Sequence, residues 1–388
     1  MRLSLLAIAL FWVAVLLIEL LDWNLGVYKA LVMVSVLGAL LPLTRLAWRA
    51  QPAVEPRPEK CLAIAVGLLV AAQVAYAAGL AWHPRLTDIP ATILAAGDAL
   101  LKGANPYVLP IDEGPSEMDM GEIFYGFKYS PLTIVAYLPL GAPLGPRGIV
   151  LTNLLLQLAT AWLVFQLARA QGTRGTGLLA ALIYLTLPIL PFEAFHRGVA
   201  DLVATLPLLV ALLHADRKPW LAGLCVGLSL SAKLLPGGLL LPCCLPTESR
   251  ERLRYGAGIA VGLVPTLLAV LWSPVEVWNN LILFNLLRPM DSTSWLLEAP
   301  PATAWIARGA FVVVFLAASA LMWRARAMTI PVRCGFGAVA ILAALLSGPV
   351  VHNNYQLWWL PLFAVVLAAI LDRRLPEPAR YGDQRTMR

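Results

Sequence analysis

Asp88, Tyr107, Lys128, His196, Arg197, Asp201, Lys233, Arg288, His352 and Tyr355 stand within, beside or in the loops between long apolar runs. Their types form a chemically useful set. A carboxylate can take a proton from a hydroxyl. Lysine, arginine and histidine can stabilise a phosphate leaving group as charge develops on it. Aromatic faces suit a sugar ring or a lipid tail. The sequence has no Gly-x-x-x-x-Gly-Lys loop, a pattern that would cradle a nucleotide phosphate.

Each residue also has a plainer reading. Asp88 precedes Pro90 just beyond an apolar run, where an acid can simply cap a helix or face water. Asp98, about three helical turns on, reads as an exposed helix face. Asp201 opens an apolar helix, and the helix dipole stabilises a carboxylate there; structural and functional roles are both open. His196 and Arg197 can bind phosphate or snorkel to water. Arg288 follows an amphipathic stretch, so a lipid headgroup competes with a site role. His352 can orient a phosphate, relay a proton or rest at the interface. Pro106 and Tyr107 form a rigid turn as readily as a ligand contact. Lys233 is the sharpest single residue. A lysine in mid-span costs about 2.5–3.5 kcal/mol on insertion scales, and such residues usually line a cavity or pathway.

The elements that must position these groups are membrane helices. Of 388 residues, 60% are hydrophobic and 13% charged, against about 25% charged in soluble domains. Mean hydropathy is +0.77. Runs such as 3–21 and 62–82 have the roughly 20 apolar residues that a spanning helix needs. The first is too long for a signal peptide and no small-residue cleavage site follows it, so it reads as a retained helix. The net charge of +7 resides in short loops between runs; it sets orientation and does not suggest nucleic acid. The five cysteines lack metal-ligand spacing with histidine and read as packing residues. No cofactor and no metal site is expected.

Basic loops at 44–60, 169–174, 216–218, 247–254 and 324–333 are assigned to the cytoplasmic side, with both termini. The acid-rich stretch 82–130, with Asp112, Glu113, Glu117, Asp119 and Glu122, then lies outside. The run 131–143 is short and reads as interfacial or re-entrant. Residues 220–246 are too few for two full spans but suit two short helices meeting near Lys233, Pro236 and Gly237, where proline and glycine break the helix. The expected fold is an all-α polytopic membrane protein with about 12 transmembrane helices, some short or broken. A single domain covers residues 1–376, with an outer loop at 82–148 holding interfacial or re-entrant helices. Residues 377–388 form a disordered cytoplasmic tail. The chemically useful residues then share the outer face.

An enzyme that moves a sugar from a lipid phosphate to a hydroxyl needs that set at a membrane surface. Here the sequence resembles a family. The phrase from Asp88 to Gly103-Ala-Asn-Pro-Tyr107, followed by Lys128-Tyr-Ser-Pro131, looks like the first outer loop of GT-C membrane glycosyltransferases. Lys218-Pro-Trp-Leu-Ala-Gly223 through Gly227 to Lys233-Leu-Leu-Pro236 is similar to glycosyltransferase family 87, the polyprenol-phosphate-mannose-dependent mannosyltransferases. Ser347-Gly-Pro-Val-Val-His352-Asn-Asn-Tyr355 looks like the late outer histidine motif of that family. The resemblance spans residues 85–360. It implies a GT-C fold, a polyprenyl-phosphate sugar donor, a lipid or glycan acceptor, and Asp88 as the base. Where many relatives have a Gly-Gln turn, this chain has His196-Arg-Gly-Val-Ala-Asp201, which looks more like other GT-C enzymes. The implied setting is a cell membrane, a bacterial inner membrane by composition. The competing readings are a transporter or flippase for a lipid-linked sugar, and a non-catalytic assembly subunit.

Overall fold

The computed structural model describes residues 57–84, 87–109, 126–187, 189–287, 294, 296, 300–324, 328–349 and 352–372. The expected spans at 3–21 and 26–43, Arg288, the loop acids from Asp112 to Glu122 and the tail at 377–388 lie outside these residues. Among the described residues all regular structure is helical. In chain order the main helices are α1 (Arg57–Trp82), α2 (Asp88–Leu101), α3 (Pro131–Leu144), α4 (Pro146–Arg169) and α5 (Arg174–Leu185). After the short helical segment Ile189–His196 come α6 (Asp201–His214), α7 (Pro219–Ala232), α8 (Leu234–Leu240), α9 (Ser249–Gly262) and α10 (Val264–Trp272). Short helical pieces fill 274–287. The chain then forms α11 (Pro301–Arg324), α12 (Ile330–Leu346) and α13 (Gln356–Leu371).

This is a membrane protein. Four described helices are long and apolar enough to span a bilayer, and six spans result if each of two bent pairs crosses as one. The expected dozen helices therefore resolve, among the described residues, into fewer long spans and several short helices. The expected single helix over 255–272 is one of the bent pairs: α9 and α10 meet at 44°. Pro265 stands at N2 of α10, and a proline removes a backbone donor and clashes with the carbonyl four residues back. Along α11, Trp305, Ile306, Val313, Val314 and Leu321 are each about two-thirds exposed. Apolar surface on that scale needs a lipid or protein cover.

The two ends of the bundle gather different groups. α6 has 14 residues, and at 1.5 Å per residue it is about 21 Å long. At its C-terminal end, Arg333 is buried and clamps both oxygens of Asp216 at 2.8 and 2.9 Å. The same guanidinium donates to the carbonyls of Cys243 and Leu245. Asp216 also accepts from Thr247, and Thr176 donates to Asp372. Of these residues, Asp216, Thr247 and Arg333 come from the basic loops assigned to one side by charge. The opposite end of α6, at Asp201, carries the candidate site. Of the cysteines, Cys225, Cys243, Cys244 and Cys334 are buried, and Cys61 is exposed.

What aims α7 at that site is a glycine seam. Gly223 and Gly227 of α7 face Gly258 and Gly262 of α9. A Cβ on Gly223 would fall on the Tyr255 carbonyl oxygen, and one on Gly258 on the Trp220 carbonyl oxygen. Small residues four apart let two membrane helices touch backbone to backbone. Gly223→Ala is expected to push the pair apart and destabilise the protein by about 1–3 kcal/mol, the usual cost of overpacking. Gly256 is the control, because a Cβ there meets nothing. Thermal unfolding of the two variants in detergent reads the difference; equal midpoints would mean that the seam does not constrain the helices.

Candidate functional site

The helix break expected near Lys233 falls on that residue. α7 ends at Ala232 and α8 begins at Leu234, with Lys233 extended between them (φ −153°, ψ 129°). Pro236 explains the position: in an unbroken helix its ring would strike the carbonyl of Ala232, four residues back. That freed carbonyl is not wasted, since the Thr133 hydroxyl of α3 donates to it at 3.1 Å. Backbone released at membrane depth needs such a partner.

The Lys233 ammonium lies 2.7 Å from Asp201 Oδ1. Asp201 is the first residue of α6 and is fully buried. Its other oxygen accepts from Asn354 Nδ2 at 2.8 Å. One carboxylate therefore joins three elements: α6, the α7–α8 break and the turn before α13. The dipole at the start of α6 favours a negative charge there. Thr205, one turn along α6, donates to the Leu357 carbonyl and ties the same helix to α13. Two aromatic rings carry the ammonium. Its Nζ is 5.3 Å from the Tyr355 ring centroid and 5.1 Å from that of Trp358. Those rings stack on each other at 4.5 Å, and His352 stands 5.7 Å from Tyr355. Cation–π contact of this kind steadies a cation by its attraction to the ring faces.

The segment leading into Asp201 is built by buried amides and hydroxyls. Residues 192–196 form a π-turn, a distortion often found at functional sites. Asn153 of α4 donates to the carbonyls of Ala194 and Val199, and the Tyr137 hydroxyl of α3 donates to Asn153 Oδ1. Gly198 has φ +68°, a region that side chains disfavour. It also lies against Pro90 of α2. Beside it the Thr87 hydroxyl donates to the Arg197 carbonyl at 2.7 Å. The start of α2 is thus fastened to the turn that ends in Asp201.

These facts locate every described candidate. Lys233, Asp201 and Tyr355 come together directly, with His352 beside them. Arg197 is exposed, 3.6 Å from the buried Glu193. His196 stacks on Phe192. Asp88 is exposed at the start of α2, next to Thr87. Among the described residues no hydrogen bond or ion pair joins Asp88 to Lys233; the two are related through the 197–201 turn. Lys128 lies 4.9 Å above the Phe284 ring. Tyr107 is buried and its hydroxyl donates to the Tyr129 carbonyl. Burial pushes its phenol far above the ordinary range, so this hydroxyl stays a donor and the residue braces the loop.

Asn354, Trp358, Glu193 and the Tyr137–Asn153 pair were not singled out by sequence reasoning. Glu193 had a signal: it is an acid within the apolar stretch 189–195, and intramembrane acids mark function by default. Asn153 similarly interrupts an apolar helix. Asn354 had none, because its turn has no periodicity to read.

The family model for glycosyltransferase family 87 matches residues 127–349, more than half of the chain. The chain belongs to glycosyltransferase family 87. Membership makes it a glycosyltransferase with a sugar donor and an acceptor, and the all-helical membrane architecture is consistent with the GT-C fold. It favours an enzyme over a transporter or an assembly subunit. The family match includes Asp201 and Lys233, and it stops short of Asp88, His352, Asn354 and Tyr355. No curated protein and no solved structure matches the chain significantly.

Proposed function

We propose that this glycosyltransferase moves a sugar, mannose or another hexose or pentose, from a polyprenyl phosphate to a hydroxyl of a lipid or glycan. The reaction takes place at the outer face of a bacterial inner membrane, with both termini in the cytoplasm. The observation that carries the reading is Lys233. An ammonium has three N–H donors, and Lys233 gives one to Asp201. Held on an aromatic floor at a helix break, it has two donors left for phosphate oxygens. The donor's tail lies among apolar helices, and Arg197 and His352 stand at the rim of the phosphate site. Lys128, His196, Arg288 and Tyr355 are assigned to substrate contact, and Tyr107 acts through the loop it braces.

In the proposed reaction the acceptor hydroxyl loses its proton to Asp88. Its oxygen bonds to the anomeric carbon as the bond from that carbon to the phosphate oxygen breaks. Polyprenyl phosphate leaves on the opposite face, so configuration inverts. Charge grows on the departing phosphate, where a fixed cation stabilises the transition state more than the ground state. The fastening of α2 to the 197–201 turn supports a shared site for Asp88 and Lys233.

Incubating the purified protein with radiolabelled polyprenyl-phosphate sugars and lipid or glycan acceptors tests the function. Labelled acceptor with inverted configuration is the expected product. Release of label only as free sugar, or no transfer from any lipid-phosphate donor, would sink the donor assignment. The sidedness has its own test. A cysteine in place of Asp88 should react with an impermeant thiol reagent applied from the outer face; reaction only from the cytoplasmic face would reverse the scheme.

A further inference from the structure

The Trp358 indole is 4% exposed. Its Nε1–H is buried and has no hydrogen-bond partner among the described residues. A buried tryptophan usually finds an acceptor for this group, and an orphaned donor in a protein interior calls for an explanation. The neighbours deepen the question. The ring lies under the Lys233 ammonium, which has uncommitted donors of its own. The nearby Asp201 carboxylate accepts from Lys233 and from Asn354, and not from the indole. The indole N–H and the Lys233 N–H bonds not given to Asp201 are thus donors without an acceptor among the described residues. Such a cluster suits a ligand group that only accepts and carries negative charge.

We propose that Trp358 Nε1–H is a second hydrogen-bond donor, beside Lys233, to a phosphoryl oxygen bound at this cluster. The inference rests on the reading of Lys233 as the phosphate-binding cation and adds a binding residue that charge alone would not identify. Because α13 begins two residues earlier, at Gln356, the indole is held on a rigid helix. Lys233, by contrast, sits on a break. The tryptophan then fixes where the phosphate rests, and the lysine supplies its charge.

Trp358→Phe removes the N–H and keeps an aromatic floor. The measurement is equilibrium binding of a polyprenyl phosphate and of the neutral polyprenol of the same length, to detergent-solubilised full-length protein. Inorganic phosphate serves as a competitor. Trp358→Phe is expected to weaken the phosphorylated lipid on the order of tenfold, as loss of one bond to a charged group does, and to leave the polyprenol unchanged. Competition by inorganic phosphate, weakened likewise in the variant, would support a site for the phosphate group itself. Absence of competition together with the tenfold loss would support a site for the phosphate presented on its lipid. Unchanged binding of the phosphorylated lipid would overturn the proposal, as would equal weakening of both lipids, the mark of a packing role. Lys233→Gln separates the two layers. If it weakens the phosphorylated lipid and Trp358→Phe does not, the indole assignment fails alone. If Lys233→Gln also leaves the preference for phosphate intact, the lysine reading fails and the indole assignment falls with it.

Discussion

Replacing Asp201 with alanine is expected to destabilise the protein by about 3–5 kcal/mol, the cost of stranding one partner of a buried ion pair. The side chain is fully buried, and that of Lys233 is 17% exposed. Its removal leaves the ammonium without its anion and the Asn354 amide without its acceptor. It also uncouples α6 from the α7–α8 break and from the turn before α13. Desolvation drives the loss, so removing the second charge should restore part of it. The double variant Asp201→Asn with Lys233→Met is therefore expected to unfold at a higher temperature than Asp201→Ala, although it carries two substitutions. Transfer activity should stay low in both, because neither offers a properly held cation. Thermal unfolding in detergent, run beside an activity assay, reads both effects. If Asp201→Ala matched the wild type in both, the ion pair would be incidental. If the double variant were no better than the single, buried charge would not be the cause.

Asp88→Asn is expected to reduce transfer about 10²–10⁴-fold, the usual worth of a positioned acid–base group. Asp88 is exposed at the first position of α2, and asparagine also suits a helix start. The variant should therefore express and unfold like the wild type, which isolates the chemistry. Binding of the polyprenyl-phosphate donor should be unchanged, since the phosphate is held at Lys233 in the proposed scheme. The loss belongs to kcat with little change in donor KM, as for an interaction made only in the transition state. Full activity in this variant would rule out Asp88 as the base. The acids left to examine next at that end of the bundle would then include Glu193, which is buried beside the turn to which α2 is fastened.

Much of this could be read along the chain because membranes impose one-dimensional rules. Apolar length and basic loops locate helices without any knowledge of contacts. The expected helix at 201–214 coincides with α6, and the expected run at 357–371 differs from α13 by one residue. Proline and glycine marked the Lys233 break, because backbone chemistry acts over four residues. The bend at Pro265 was missed: hydropathy does not change there, while the lost hydrogen bond does.

The sequence by itself determined that this is an all-helical membrane glycosyltransferase, and that a lysine and several polar residues interrupt its apolar runs. Composition and short-range spacing suffice for the helices and their polar interruptions, since each apolar segment meets lipid independently; the glycosyltransferase assignment comes from the family match. Tertiary structure alone decided that Asp201, Lys233 and Asn354 form one cluster on the Tyr355 and Trp358 rings. These residues lie 32 to 153 positions apart from Asp201 in the chain. Nothing local couples them. They meet because the glycine seam holds α7 on α9, and because buried amides shape the turn that delivers Asp201.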